Sequence, residues 1–380
     1  MKNIRLQVLI GTVLIAVFFN GCVNSEQNKS KATKAAFTIE PLRYAREFSI
    51  KKYATCKVLE VRNPWDTLHA LARYVLVSRN VPLPKDLPDG LIIRTPVQTV
   101  GCTTSVDACM VARLGELATV NAVAEREYMH QPFIDAQFKK GKVTEIGTSM
   151  NVIVEKLMQA NPSILFVSPF KDNKYGHLKQ TGVPLIQISN YLENHPLGRA
   201  EWILFYGAFF EKDLQARKIF DSISSHYEQL ATLTRNLKPR PTIFSGKLFG
   251  NLWYMAGGKS YPARFFKDAG ADYIWAHRPE TGSFPLDFET VFQKAINADY
   301  WQILEFYNGN YTYQNIKTEY PPYSHFKAYQ KKQVVFCNTR YKEYYDRGLL
   351  EPDIILADLI NILHPGVLKN YQQKYFSLLK

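Results

Sequence analysis

The residues of this 380-residue chain that are best suited to chemistry do not assemble into a catalytic pattern. The stretch AGGKS, Ala256 to Ser260, imitates the end of a phosphate-binding loop. Such a loop needs a glycine five residues before Gly258, because its backbone must wrap the phosphate closely, and Trp253 stands there. No G-x-S-x-G turn presents a nucleophilic serine, and no H-E-x-x-H helix pairs two histidines for zinc. The eight histidines are dispersed without paired spacing. Neither an enzyme nor a histidine-built metal site is therefore expected, and no cofactor is implied. Aromatic side chains, most of them expected to fill the core, and cations are what the sequence supplies instead: 23 Tyr, 23 Phe and a formal charge of +13. Most of that charge is expected on a solvated surface. The basic residues are scattered and no nucleic-acid motif occurs, so no nucleic-acid partner is expected.

The elements that must position these groups are legible from periodicity. FSIKKYATCKVLEVRN reads as one or two strands, and RYVLVS as another. TPVQTVGCTTS is a short strand, followed by the helix VDACMVARLGEL and the strand TVNAVA. Asn161-Pro162 separates the helix MNVIVEKLMQA from the strand SILFVSPF, and VPLIQIS is one more strand. This alternation predicts a parallel α/β sheet. It stops near His195-Pro196 and restarts after Pro239 and Pro241. The second run is PTIFSG, the Pro-opened helix YPARFFKDAG, the helix DFETVFQKAINA, and YWQILEFY. SHFKAYQ, QVVFCN and the helix EPDIILADLINILHP follow.

Between the runs lie about forty residues with no proline after Pro196. Within 212–237, Ala216, Phe220, Ile223, Tyr227, Leu230, Leu233 and Leu237 recur every three or four residues, an amphipathic stripe that must pack. The expected architecture is α/β: two Rossmann-like lobes joined by a long rigid spine helix, with a ligand cleft between the lobes. The expected divisions are a signal peptide (1–21), a tether (22–37) and an N-terminal lobe with an extension (38–195). A helical linker with the spine helix (196–237) and a C-terminal lobe (238–380) complete the chain.

In open α/β sheets ligands sit beyond the carboxyl ends of the strands. Those ends carry Thr103, Thr104 and Phe170 in the first lobe, and the Trp253-Tyr254 pair, Tyr307 and Arg340 in the second. Aromatic walls with one or two cations suit a bulky, anionic, planar or chelated ligand. Trp253 and Tyr254 are equally compatible with a core role. Cys56, Cys102, Cys109 and Cys337 form no disulfide framework, and both a Cys102–Cys109 bridge and buried free thiols remain open.

The N-terminus, MKNIRLQVLIGTVLIAVFFNGC, has two cations, an apolar run from Val8 to Phe19 too short to span a bilayer comfortably, then Gly21-Cys22. It reads as a secretory signal, and the placement of Cys22 resembles a bacterial lipobox, which implies lipidation at Cys22. Phe19 and Asn20 stand where that box usually has leucine and a small residue.

The order of signal, lobe, spine and lobe resembles the substrate-binding lipoproteins of ABC importers, in the class that binds iron complexes and cobalamin. NVIVEKLMQANPSILFVSPF, HPLGRAEWILFYGAFF, WYMAGGKSYPARFFKDAGADY, GSFPLDFETVFQKAINADYW and EPDIILADLINILHP carry the resemblance, over about residues 95 to 365. Ser163 and Ala256 depart from it, at scaffold positions. The resemblance implies a periplasmic, membrane-anchored monomer that delivers cargo to an ABC permease and its ATPase. It also implies permease docking through one glutamate at the top of each lobe, here Glu155 and Glu289. An iron complex, a siderophore-like ferric chelate, is the first expectation for cargo; cobalamin or haem is the alternative. A zinc- or manganese-binding relative and a lipid-anchored enzyme are outside readings.

Overall fold

The computed structural model describes residues 36–171 and 175–380. The signal peptide, Cys22 and nearly all of the tether lie outside the described residues. Phe37 to Lys380 form one compact unit.

Five strands come first: β1 (Phe37–Ile39), β2 (Phe48–Tyr53), β3 (Lys57–Val61), β4 (Ala72–Ser78) and β5 (Leu91–Thr95). They make a sheet of their own in the order β1-β2-β3-β4-β5. All its pairs are antiparallel except β4–β5. These segments therefore do not join the parallel sheet that the strand–helix alternation predicts. Their alternation is that of a sheet with one face on the core: Phe48, Ile50, Leu59, Tyr74, Leu76 and Ile93 point inward. Cys56, Val58, Val75 and Val77 form a small second cluster on the other face.

The first lobe proper holds β6 (Val100–Cys102), β7 (Val120–Val123), β8 (Thr144–Glu145), β9 (Ile164–Val167) and β10 (Leu185–Gln187). They form an all-parallel sheet ordered β10-β9-β6-β7-β8. Its helices are α1 (Ser105–Arg113), α2 (Pro132–Lys139) and α3 (Val154–Ala160). The linker contributes α4 (Pro196–Glu201), α5 (Ile203–Phe209) and α6 (Asp213–Thr234). In the second lobe β11 (Thr242–Ser245), β12 (Leu248–Phe249), β13 (Leu252–Ala256), β14 (Asp272–Tyr273), β15 (Ser283–Leu286), β16 (Tyr300–Glu305), β17 (Val334–Asn338) and β18 (Ser377–Leu378) divide between two sheets. The main one is ordered β14-β11-β16-β17-β18, parallel except at β18. The smaller, β12-β13-β15, is antiparallel. Helices α7 (Tyr261–Asp268), α8 (Phe288–Ala295), α9 (Tyr313–Glu319), α10 (Lys327–Gln330), α11 (Thr339–Lys342) and α12 (Pro352–Leu363) complete it.

The spine α6 runs 22 residues, about 33 Å at 1.5 Å per residue. It buries Ala216, Phe220, Ile223, Tyr227 and Leu230. Leu233 is 50% exposed, and Thr234 takes its place in the stripe, its hydroxyl donating to the Asp268 carbonyl at 2.5 Å. The stripe turns because 3.6 residues per turn carries position 233 past the buried face. Gly207 sits where α5 meets α6; a Cβ there would fall 2.7 Å from the Cβ of Ala216, so glycine sets how closely the two helices approach. His195 caps α4 by accepting from the Leu197 amide at 3.0 Å. Burial, with Arg264 and Arg46 nearby, pushes its imidazole down to about 3, which keeps that nitrogen an acceptor.

The extension is fastened to the linker by two buried carboxyl groups. Glu201 accepts from the amides of Arg43, Tyr44 and Ala45 at 2.9, 2.8 and 2.8 Å. Glu193 accepts from the amides of Arg46 and Glu47, each at 3.0 Å, and from the Trp202 indole. Burial pushes the Glu193 carboxyl up, against the pull of those donors.

Candidate ligand-binding site

The lobes meet along the segment from Glu343 to Glu351. His130 of the first lobe lies 3.0 Å from Asp346 of the second. A cavity of about 470 Å³ separates α1 and His130–Pro132 from Glu343, Arg347, Leu350 and Glu351. Cys109 lines it, but burial raises its thiol to about 12, which leaves it unreactive. Cys56, Cys102, Cys109 and Cys337 are all free and buried; the Cys102–Cys109 bridge is not formed. Among the described residues no group of three or more His, Cys, Asp or Glu side chains could hold a metal ion.

The carboxyl ends of β16 and β17 lie side by side and form an exposed rim of the second lobe. Asn338 ties the two ends together, its side-chain amide donating to the Tyr307 carbonyl at 3.0 Å. Phe306 and Tyr341 are exposed there, and the Arg340 guanidinium lies 5.1 Å from the Phe306 ring centre. Arg340 has no carboxylate partner among the described residues. Tyr341 braces the turn, its hydroxyl accepting from the Gly309 amide and donating to Asn308, both at 3.1 Å. Tyr307 is half-buried, with its hydroxyl accepting from Asn315 at 3.1 Å, so the ring props the turn. Lys247 is spent on Glu305 and Glu319, each at 2.6 Å; burial would lower its ammonium, but those two bonds hold it above its ordinary value.

Two expected ligand contacts are corrected by burial, Trp253 and Thr103, and a third, Thr104, by its hydrogen bonds. Trp253 is 0% exposed, packed among Phe244, Trp301, Tyr323 and Phe326, and its indole donates to the Ser245 carbonyl at 2.8 Å. It is a core residue. Its neighbour Tyr254 faces the other way on β13 and is 50% exposed. Thr103 is 1% exposed and presents nothing to a ligand. The hydroxyl of Thr104 is engaged with Asp107 in a capping box that opens α1. Phe170 follows β9 half-buried. Replacing Trp253 by alanine should cost about 3–5 kcal/mol of stability. Urea unfolding measures it, and a loss under about 1 kcal/mol would return Trp253 to the surface.

The AGGKS stretch has a structural explanation. A Cβ on Gly257 would lie 2.1 Å from the Glu280 carbonyl oxygen, and one on Gly258 2.3 Å from that of Ala276. The two glycines let backbones touch where the loop enters α7.

The sequence analysis did not single out Tyr344 and Tyr345 on the segment where the lobes meet, although RYKEYYDRG packs three tyrosines into nine residues. Glu155 and Glu289 occupy the second position of α3 and of α8, exposed and without a partner among the described residues. No helix of the described residues is long and apolar enough to cross a membrane.

Comparisons with known proteins agree with this architecture. The chain is 25% identical over 398 residues to an uncharacterized lipoprotein of Methanocaldococcus jannaschii, covering 96% of this chain and 94% of that protein. Its fold is similar to a periplasmic heme-binding protein of Pseudomonas aeruginosa, at TM-score 0.59 and 15% identity, over 75% of this chain and 98% of that one. It is also similar to the periplasmic heme-binding protein HutB of Vibrio cholerae, at TM-score 0.57 and 15% identity, over 70% and 99%. These likenesses carry the fold: two α/β lobes on a spine helix. A family model for periplasmic binding proteins matches residues 104–341, from the first helix of one lobe to the rim of the other, and the chain belongs to the periplasmic binding protein family.

Proposed function

We propose that this protein is the substrate-binding component of an ABC importer, and that it captures an anionic iron complex and hands it to a membrane permease with its ATPase. The observation that carries the cargo reading is the rim of the second lobe. Phe306, Tyr341 and Arg340 stand exposed at the carboxyl ends of parallel strands, and the cation has no carboxylate to neutralise it. Aromatic faces bind the flat apolar parts of a chelate and a lone guanidinium its charged oxygens. Tyr254 and Phe170 extend the apolar surface offered. Heme-binding proteins among the fold relatives support haem as the second reading; cobalamin fits the same wall without using the cation.

Glu155 and Glu289 are the permease-docking carboxylates of this reading, and lipidated Cys22 is the anchor that holds the protein at a membrane facing the periplasm. The lipoprotein relative supports the anchor. Binding and delivery need no catalytic group, so no enzymatic activity is assigned.

Mass spectrometry of protein purified without denaturation identifies what it carries. Titration with ferric chelates, haemin and cobalamin, read by thermal unfolding, gives the preference. A saturating rise in melting temperature with a ferric chelate is the expected result. A rise with haemin or cobalamin alone replaces the cargo, and hydrolysis of a test substrate with no binding overturns the reading.

A further inference from the structure

The amino end of the second lobe's parallel sheet carries more positive charge than the protein itself answers. Lys238 and Arg240 precede β11, Lys331 precedes β17, and Arg235 and Lys267 stand at the ends of α6 and α7. A cavity of about 820 Å³ takes in Lys238, Arg240, Lys327 and Lys331, and one of about 610 Å³ takes in Arg235, Arg240 and Lys267. Arg240 lines both, so the two open onto one continuous face. The carboxylates that line or flank them are already engaged. Asp272 holds Arg240 at 2.8 Å, and Asp299 holds Lys327 at 2.7 Å. Asp268 holds Arg264 at 2.7 Å, and Glu228 accepts from the Tyr44 hydroxyl. Arg235, Lys238, Lys267 and Lys331 are all exposed, with no carboxylate partner among the described residues.

Helix ends account for part of this pattern. Arg235 and Lys267 sit where the carbonyl end of a helix carries about half a negative charge. Lys238 lies past the spine in the turn to β11, and Lys331 follows α10, a helix of only four residues. Two half charges do not offset four cations. Apolar side chains lie among them: in the larger cavity Pro239 and Pro365 are exposed and Val367 is half-buried. A cationic margin around a shallow apolar floor matches a lipid headgroup layer, in which phosphates overlie acyl carbon. The face is turned away from the recognition surfaces. Phe306, Arg340 and Tyr341 follow the carboxyl ends of the same parallel strands, and the six residues of β16 alone put about 20 Å between the two ends. Glu289 opens α8, and the chain leaving the far end of that helix reaches Asp299 on the basic face.

We propose that this basic face of the second lobe rests on an anionic lipid surface while the protein is free of its permease. Anionic lipid attracts the amino end of the lobe and repels Glu289, so the charge of the bilayer turns the rim away from the membrane and leaves it open to cargo. The anchor assigned to Cys22 keeps the face within reach of a bilayer. The attraction itself needs no anchor: it is the field of lipid phosphates on four unpaired cations, and each adds about fivefold to the partition. It fades within about 8 Å of the surface at physiological salt. The inference goes beyond the import reading and does not depend on which cargo is carried.

Residues 37–380 are one compact unit with the core clusters inside it, so the face is tested without anchor or tether. Flotation with vesicles is the experiment: phosphatidylcholine alone, against vesicles in which about a third of the lipid is phosphatidylglycerol. The expected result is binding to the anionic vesicles and none to the neutral ones. It should vanish as salt rises from about 0.1 M to about 1 M and the screening length falls from about 10 Å to about 3 Å. Lys238→Gln, Lys267→Gln and Lys331→Gln combined should weaken it about a hundredfold. Lys139→Gln, Lys140→Gln and Lys179→Gln remove the same net charge from exposed positions of the first lobe, and should bind within about fivefold of wild type. Thermal unfolding of both triple variants separates a lost face from a lost fold. Should the first triple fold poorly, Lys238→Glu alone reverses one exposed charge and should cost about twentyfold. Equal losses in the two triples, or no loss in either, overturn the proposal, as does equal binding to neutral vesicles. Retention on soluble polyphosphate with no binding to vesicles gives the face another partner and overturns the lipid assignment. None of these outcomes touches the import reading, which cargo titration decides.

Discussion

Replacing Glu155 and Glu289 together by lysine should leave cargo affinity unchanged and abolish most of the uptake. The two carboxylates stand at equivalent places, the second residue of α3 and of α8, one helix in each lobe. Both side chains are exposed and neither has a partner among the described residues, so nothing inside the protein depends on them. A carboxylate in the first turn is favoured by the free amides of the helix end. Folding should therefore tolerate the change within about 0.5 kcal/mol per site. Exposed pairs are worth about 0–1 kcal/mol in water, but a charge pair desolvated at an interface is worth about 2–5 kcal/mol when one partner is removed. Inversion adds repulsion to loss. Each single variant should lose about tenfold or more in permease association, and the double variant about a hundredfold or more. Cargo titration and transport measured side by side decide it: full uptake by the double variant sinks the docking assignment.

Removing the Glu201 carboxyl should be among the most damaging single changes to stability. Glu201 is fully buried and accepts three successive backbone amides, those of Arg43, Tyr44 and Ala45, with Arg217 at 3.9 Å. Glu201→Ala leaves three backbone donors without their acceptor, while Arg217 keeps Glu40 at 2.7 Å. An orphaned buried donor costs about 1–3 kcal/mol, and breaking one side of a buried charged network about 3–5 kcal/mol. A loss of about 4 kcal/mol is expected, a large part of the 5–15 kcal/mol that holds a typical domain. Glu201→Gln keeps one acceptor oxygen and should fall between. Denaturant unfolding gives the number, and hydrogen exchange should show residues 43–47 opening first. A loss below about 1 kcal/mol would mean that the extension is held by its sheet and not by these carboxyls.

Together these expectations divide the molecule into parts that recognise and parts that brace. The extension closes over the linker through Glu193 and Glu201 and so ties the first lobe to the helices that carry the second. The exposed residues of the proposed recognition surfaces, Arg340, Phe306, Tyr341, Glu155 and Glu289, take no part in that brace.

The sequence alone determined what depends on neighbours a few residues away. Helix and strand periods placed α1, α6, α7, α8 and α12 and most parallel strands, because one turn of helix or one pleat of strand sorts apolar from polar residues locally. The failed phosphate loop was equally local: one tryptophan where glycine is required. Tertiary structure decided everything that rests on distant partners. β2 to β4 read as ordinary strands, yet their pairing into a separate antiparallel sheet is set by contacts across the extension and against α5. Trp253 and Tyr254 are adjacent on one strand and must face opposite ways; which of them entered the core was fixed by Trp301 and Phe326, about fifty and seventy residues later. Arg199 was visible as a charge on the linker, two residues before Glu201. That it has no counter-ion could be known only once α7 and the Glu343–Glu351 segment closed around it, because an absent partner is a property of every element nearby and of no stretch of sequence.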